Sequence, residues 1–177
     1  MFSSTQTELA HALQQELLAD RTDKFGDPEW QHSHRVAQNV IAWPGFDEMP
    51  LEAQEAIVCA AYLHNLVEYT DITPADLQAK GFSTETIELV SLLTREDAEG
   101  SVEAYCDGII RVGRARTLKL ADLADNCNKE REQKLRDRGE SVNSSVYTYQ
   151  LSLLKPNQQE LRWFYNRISV PLADFEQ

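Results

Sequence analysis

Apolar residues recur along most of the chain with the three- and four-residue spacing of amphipathic helices. In the first such segment, residues 5–18, Leu9, Leu13 and Leu17 fall on one side of the predicted helix. No segment shows a convincing strand pattern. The pattern therefore predicts an all-α fold, and the helix over 51–67, which is apolar almost all round, is expected to be its central buried element.

Prolines, glycines and helix-capping residues divide this pattern into separate helices. Gly26 and Pro28 predict a loop, and Pro44 followed by Gly45 ends the next helix. Residues 129–143 are dense in charge, and we expect them to form a mobile connection. The other predicted helices cover residues 31–42, a short stretch between Thr73 and Gly81, and then 84–93, 102–112, 116–129, 144–155 and 156–168.

The length of 177 residues fits one domain with a full core. We expect a single compact domain over residues 1–177, with its core at about 9–155 and a C-terminal helical extension at 156–177. The three cysteines form no CxxC pair, which suits a reducing compartment in which thiols act as small core residues.

The formal net charge of −12 argues against a nucleic acid as the main partner, because proteins that bind nucleic acids usually present a basic face. Any phosphate-binding site must therefore be formed by a metal ion and a few Lys or Arg side chains rather than by the overall charge of the protein. No apolar run approaches the roughly 20 residues that cross a bilayer, and the N-terminus lacks the basic and apolar regions of a secretory signal. We therefore expect a cytoplasmic protein that binds neither membranes nor nucleic acids.

Two polar residues interrupt the most apolar predicted helix. His64 and Asn65 lie within IVCAAYLHNLV, and Glu68 follows His64 by four residues, on the same face of a helix. A buried imidazole or amide without a partner costs about 1–3 kcal/mol, so these side chains need partners. Taken alone, His64 is more often a hydrogen-bonded core histidine than a metal ligand.

Polar residues also line one face of the helix over 116–129, where Lys119, Asp122 and Asn126 are three and four residues apart. For one helix considered alone, a solvated polar stripe is the default explanation. His32 and His34 are two residues apart, so a helix turns them about 200° away from each other. They cannot both easily face one metal ion.

Taken together, these segments resemble the HD superfamily of metal-dependent phosphohydrolases, which is all-helical. The matching stretches are HSHRVA from His32, AAYLHN ending at Asn65, and KLAD from Lys119. A narrower resemblance, to the small guanosine-polyphosphate (ppGpp) pyrophosphohydrolases, rests on DKFGDPEWQHSHRVA, HNLVEYTDITPADL and TLKLADLADN. The resemblance implies an HD-domain helical bundle that hydrolyses a phosphoester or pyrophosphate bond of a nucleotide.

The resemblance also implies roles for individual residues. It implies a divalent metal ion, with Mn²⁺ as the first choice, held by His32, His64, Asp122 and the residue at position 65. Glu68 matches a carboxylate that orients or deprotonates water, and Asn65 shares this catalytic centre. Contacts to a small-molecule nucleotide are expected from Lys24, Lys119, Asn126 and Tyr69.

The chain departs from the resembled motifs at two acidic positions. Asn65 stands where the motif has an aspartate ligand, and Tyr69 stands where a second acidic residue follows; Ser33 and Glu29 also replace a proline and an aromatic residue. An asparagine oxygen can ligate a metal but is neutral, so the metal affinity should fall. Three accounts stay open: a divergent enzyme, an inactive pseudoenzyme that binds a nucleotide or a protein partner, and an engineered replacement of Asp at 65. Tyr69 favours natural divergence over the last, since one engineered change does not explain both.

A helical scaffold without a metal is the remaining alternative. In that hypothesis His32, His64 and Asp122 merely hydrogen-bond to each other. A structure that places the three side chains far apart would favour this scaffold over both the enzyme and the inactive pseudoenzyme. The sequence leaves the oligomeric state open, with a homo-oligomer among the alternatives.

Overall fold

The computed structural model describes residues 3–95, 101–141 and 144–175 and confirms the predicted all-α fold. Apart from one antiparallel bridge between Thr22 and Pro28, the described residues contain no strand pairing. Short 3₁₀ turns lie at Phe46–Glu48 and Leu172–Phe175. The helices are α1 (Thr5–Leu17), α2 (Glu29–Ile41), α3 (Leu51–Leu63), α4 (Leu66–Tyr69), α5 (Pro74–Ala79), α6 (Thr84–Leu93), α7 (Val102–Ile110), α8 (Gly113–Asn126), α9 (Lys129–Asp137), α10 (Ser145–Leu153) and α11 (Gln158–Arg167).

Helix α3 is the centre of the packing, as its apolar sequence predicts. It packs against α1, α2, α6 and α8. Residues 57–63 are each 6% exposed or less, so this part of α3 is buried on every side. Helix α2 packs on both α3 and α8, and these three helices therefore meet along one line through the core.

The predicted single helix over 51–67 is wrong in one respect, because α3 ends at Leu63 and the short α4 begins at Leu66. The Nδ1 atom of His64 lies 2.8 Å from the backbone oxygen of Ala61, so the imidazole hydrogen-bonds to a carbonyl group in the last turn of α3. Asn65 adopts φ −90° and ψ −10°, at the edge of the helical region. Both residues keep backbone angles of the right-handed helical region, and the break places them directly after the end of the central helix.

The predicted helix over 116–129 is also shifted, because α8 begins at Gly113 and ends at Asn126. Asn128 is extended, with φ −61° and ψ 129°, and its side-chain oxygen accepts hydrogen bonds from the backbone N–H groups of Glu130 and Arg131. Asparagine in this geometry begins a helix. The chain therefore starts a separate helix, α9, at Lys129.

Helix α9 contradicts the expectation of a mobile connection over 129–143, of which residues 142 and 143 lie outside the described part of the chain. Its Arg131 side chain is fully buried and forms ion pairs with Asp23 and Asp125. Leu135 is buried as well. The other charged residues of α9 are exposed or half-buried, but Arg131 points inward and joins α9 to Asp23 in the loop that precedes α2, 108 residues away.

The C-terminal helix α11 also contributes to the core. Trp163 and Phe164 are buried, and the indole N–H of Trp163 donates to the backbone oxygen of Ala42 at 2.9 Å. Cys59 and Cys106 are buried free thiols, as the sequence predicts. No helix among the described residues is long and apolar enough to span a lipid bilayer.

We predict that Arg131→Gln will destabilise the protein by about 3 kcal/mol, because it removes the nearest guanidinium from the half-buried Asp23 and one of two guanidinium partners from the buried Asp125, which keeps Arg35. Urea unfolding measures the change. Arg136→Gln is the matched control, since Arg136 is half exposed and pairs only with Glu132 on its own helix, and it should change stability by less than about 0.5 kcal/mol. Equal effects of the two variants would contradict the structural role assigned to α9.

Candidate functional site

The fold brings the three predicted histidine and aspartate ligands together. His32 lies on α2, His64 directly follows α3, and Asp122 lies on α8, the three helices that meet in the core. Their candidate ligand atoms all lie within 4.8 Å of one another, and each residue is 5% exposed. The three side chains form a cluster of the size that a metal ion needs.

His64 has an unpartnered atom in this cluster. Its Nδ1 atom lies 2.8 Å from the Ala61 backbone oxygen, so Nδ1 carries the proton and Nε2 carries a lone pair. This Nε2 is buried, and no described residue donates a hydrogen bond to it. It lies 3.9 Å from Oδ1 of Asp122. Burial lowers the pKa of His64 to about 4 despite the Asp122 charge, so the imidazole is neutral near pH 7.

The Nε2 lone pair of His64 thus faces a carboxylate oxygen, and no described residue places a donor between the two atoms, although Asn126 and Lys119 donate to Asp122 from other sides. A scaffold held by hydrogen bonds would join His64 to Asp122, and it does not. A cation placed among these atoms would satisfy the Nε2 lone pair and the carboxylate together. The donor set of two imidazoles and one carboxylate therefore fits a divalent metal ion.

His32 is held between two carboxylates. Its Nε2 lies 3.2 Å from Oδ1 of Asp122, and its Nδ1 lies 2.7 Å from Oδ2 of Asp125. Burial alone would lower the pKa of His32, but the hydrogen bonds and charges of Asp122 and Asp125 outweigh it and raise this pKa to about 9. Asp125 fixes the ring so that Nε2 faces the cluster, the usual arrangement of a metal-binding histidine and its supporting carboxylate.

Asp125 is itself anchored by two arginines. Arg35 Nε donates to its Oδ1 at 2.6 Å, and Arg131 pairs with its Oδ2. Although burial alone would raise the pKa of Asp125, the charges of Arg131 and Arg35 and the bond from His32 hold it well below its usual value. The sequence-based prediction missed Asp125. The available signal was its position three residues after Asp122, which places the two carboxylates on neighbouring parts of one helix face.

Lys119 and Asn126 both donate hydrogen bonds to Asp122, as expected from the prediction that the three residues share one face of a helix. Lys119 Nζ donates to Asp122 Oδ2 at 2.8 Å, and Asn126 Nδ2 donates to Asp122 Oδ1 at 2.7 Å. Burial opposes ionisation of Asp122, but the charges of Lys119 and His32 keep its pKa well below the usual value. Asp122 is therefore a carboxylate at all ordinary pH values.

Asn65, which replaces the expected aspartate, also reaches the cluster. It is buried, and its Nδ2 donates to Oε1 of Glu29 at 2.8 Å. The sequence-based prediction noted Glu29 as a departure from the resembled motif but gave it no role. Glu29 is buried as well and borders the same cavity.

The cluster forms the floor of a cavity of about 270 Å³. Glu68 and Tyr69 are exposed at its rim. Burial raises the pKa of the Glu68 carboxyl, against the opposing charge of Lys119.

Lys24 lies at another side of the cavity, hydrogen-bonded to the hydroxyl of Tyr147. Burial and the charge of Arg131 lower the pKa of Lys24 to about 8. Every residue singled out from the sequence as a site candidate therefore lines this one cavity.

His34 lies outside this cavity. Its ring stacks on His11 with 5.1 Å between centroids, and it borders a separate pocket beside Trp30 and Phe175. The helical rotation between His32 and His34 thus separates the two side chains as expected.

Comparisons with known proteins support the fold. No protein-family model matches the chain, and no curated protein matches it significantly. Among solved structures, the chain is similar to a metazoan ortholog of SpoT described as hydrolysing ppGpp and playing a role in starvation responses. The TM-score is 0.68 at 19% sequence identity, over 94% of this chain and 96% of the other. The likeness shows that the chain shares the all-α fold of that protein.

We predict that the metal-free protein loses stability as the pH rises from 6.5 to 8. The pKa of His32 is about 9 in the folded protein and about 6.5 in an unfolded chain. A pKa raised by folding stabilises the protein fully below the unfolded pKa, and this stabilisation is lost as the pH rises toward the folded pKa. The expected loss stays below about 1.4 kcal/mol per pH unit and is steepest above pH 7, because burial lowers the pKa values of His11, His34 and His64 and these groups act in the opposite sense near pH 6.5. Urea unfolding in the presence of a chelator measures it.

The predicted loss of stability is limited to pH values below 8, because folding lowers the pKa of Lys24 to about 8. Above that pH, Lys24 makes the free energy of unfolding rise with pH. His32→Gln should flatten the profile. His34→Gln should keep it, since burial lowers rather than raises the pKa of His34. A flat wild-type profile, or an unchanged slope in His32→Gln, would show that His32 does not carry the expected proton.

Proposed function

We propose that this chain is a divergent HD-type, metal-dependent phosphohydrolase that cleaves a phosphoester or pyrophosphate bond of a nucleotide of the guanosine-polyphosphate kind. The observation that carries the proposal is the buried, unpartnered Nε2 of His64, which faces the Asp122 carboxylate beside His32. The likeness in fold to a protein described as hydrolysing ppGpp supports the choice of substrate class.

His32, His64 and Asp122 would hold the divalent metal ion, with the side-chain oxygen of Asn65 as a neutral fourth donor. Mn²⁺ suits this mixture of imidazole and oxygen ligands. When bound, such an ion neutralises charge on a phosphoryl oxygen and makes a water molecule more acidic. Asp125 contributes by keeping His32 in the orientation and tautomer in which Nε2 faces the site.

Glu68 is the proposed general base. A general base must be unprotonated before the reaction and must then accept a proton. A carboxylate whose pKa is raised accepts a proton more readily than an ordinary carboxylate. Glu68 stands at the rim of the cavity, where water has access. Its carboxylate would take the proton of the attacking water while the phosphoryl group lies above the cluster.

Lys24 and Lys119 are proposed to bind phosphate oxygens. Lys119 has three N–H donors, one of which goes to Asp122, so further donors are available to a ligand. Burial alone would lower the pKa of Lys119, but the charge and hydrogen bond of Asp122, together with Tyr105, outweigh it and raise this pKa, so Lys119 stays cationic. Two lysines at one cavity supply the local positive charge that an acidic chain needs to bind a polyanion.

Asn126 and Tyr69 are proposed to contact the rest of the nucleotide. Both line the cavity, and Tyr69 is 37% exposed with Arg21 over its ring, so the uncovered part of the ring is accessible to a base. The cavity of about 270 Å³ is too small to enclose a drug-sized ligand fully. We therefore place the phosphoryl group inside and the nucleoside at the rim.

A catalytically inactive binding protein is the second candidate. The observation that favours it is the pair of neutral residues, Asn65 and Tyr69, at positions that are acidic in the resembled motifs. Such a protein would still bind a nucleotide in the same cavity through the same lysines. It differs from the enzyme only in turnover, which can be measured directly.

We predict that the purified protein with Mn²⁺ releases phosphate or pyrophosphate from at least one member of a panel that includes guanosine tetraphosphate and deoxynucleoside triphosphates. His64→Ala should reduce the rate at least about 100-fold, because it removes a ligand from a site that is already one carboxylate short. Product release is followed by a coupled colorimetric assay.

His34→Gln is the matched control, since His34 lies on the same helix as His32 but borders a different pocket. Its rate should stay within about twofold of wild type, as expected for a substitution outside the site. A wild-type rate no higher than that of His64→Ala would reject the enzyme. Saturable nucleotide binding without turnover would then support the binding protein.

A further inference from the structure

Glu29 is a buried carboxylate with little to neutralise it. It is 6% exposed, at the first position of α2, and its backbone N–H donates to the Arg21 carbonyl at 2.9 Å. Among the described residues, no basic side chain lies within ion-pair distance of its carboxylate, and the one side-chain donor to it is Nδ2 of Asn65. A buried carboxylate without a cationic partner is unfavourable.

The N-terminus of α2 supplies part of the missing positive charge. A helix start stabilises a carboxylate only weakly, by less than the burial of an unpaired charge removes. The remaining deficit points to a cation in the cavity that Glu29 borders. His32, His64 and Asp122 border the same cavity.

The bond between Asn65 and Glu29 also decides which atom of Asn65 is available. Because Nδ2 is engaged by Glu29, the amide group turns its donor away from a cation, and Oδ1 is the atom left to act as a ligand. A hydrogen bond to a charged acceptor is stronger than one to a neutral acceptor. It also draws positive charge toward Nδ2 and leaves more negative charge on Oδ1.

We propose that Glu29, acting through Asn65, supplies the divalent-cation site at His32, His64 and Asp122 with the negative charge that position 65 lacks. This inference rests on the proposed function. Glu29 is a positioning residue, since its carboxylate stands outside the group of atoms that lie within 4.8 Å of one another. The pair of residues 29 and 65 thus carries one carboxylate and one amide, joined by one hydrogen bond.

An exchange of these two groups tests the proposal. Glu29→Gln keeps the shape of the side chain and an oxygen that can accept from Asn65, but removes the charge. The double variant Glu29→Gln with Asn65→Asp restores one carboxylate and one amide with the direction of the hydrogen bond reversed. Glu16→Gln removes the same charge from an exposed position on α1 and is the control for net charge.

The readout is Mn²⁺ affinity of the full chain by isothermal titration calorimetry, with thermal unfolding to confirm that each variant is folded. Glu29→Gln should weaken Mn²⁺ binding about 10–100-fold, the range found for residues that support metal ligands. The double variant should recover at least wild-type affinity, and Glu16→Gln should leave it within about twofold. A purely structural role for Glu29 at the helix start would lower stability without changing Mn²⁺ affinity.

Three results would overturn the proposal. If Glu29→Gln binds Mn²⁺ as tightly as wild type, Glu29 has no role at the site, although the proposed enzyme can still be correct. If affinity falls in Glu29→Gln but does not recover in the double variant, the charge is not the cause. If the wild type does not bind Mn²⁺ at all, the proposed function and the role of Glu29 fail together.

Discussion

The structure depends on one buried carboxylate, Asp125, which joins α2 to the consecutive helices α8 and α9. It lies on α8 and binds His32 and Arg35 of α2 and Arg131 of α9. A buried carboxylate is tolerated only where cations and donors surround it, so each partner is necessary to the others. The same bonds that hold the helices together therefore also fix the imidazole of His32 toward the cavity.

This arrangement explains how an acidic chain can offer a site for an anion. The net charge of −12 is spread over the molecule, whereas Lys24, Lys119 and Arg131 all border one cavity. Arg131 is committed to Asp23 and Asp125, so it stabilises the site without being available to a ligand. The two lysines supply the local attraction. Helix α9 also holds the loop that carries Lys24, since Arg138 donates to the backbone oxygen of Phe25 at 2.7 Å.

The sequence predicted the helical class from its periodicity, and the resemblance to the HD superfamily implied that the candidate residues of different helices meet in one site. Lys119, Asp122 and Asn126 share a face by helical periodicity alone. The periodicity of α2 could not predict the partner of His32, since Asp125 lies 93 positions away, nor the burial of Arg131 in the charged helix over 129–137, since its partner Asp23 lies before α2. The meeting of Glu29 with Asn65 depends on tertiary packing in the same way. The chemical roles of these residues stay predictions.

The central claim is that His32, His64 and Asp122 form a metal site despite the neutral residue at position 65. Anomalous X-ray scattering from crystals grown with Mn²⁺ tests it most directly. The account predicts one strong manganese peak per chain within bonding distance of Nε2 of both histidines and of the Asp122 carboxylate, at about 2.0–2.3 Å. Density showing no manganese there, with Nε2 of His64 still unpartnered, would contradict it.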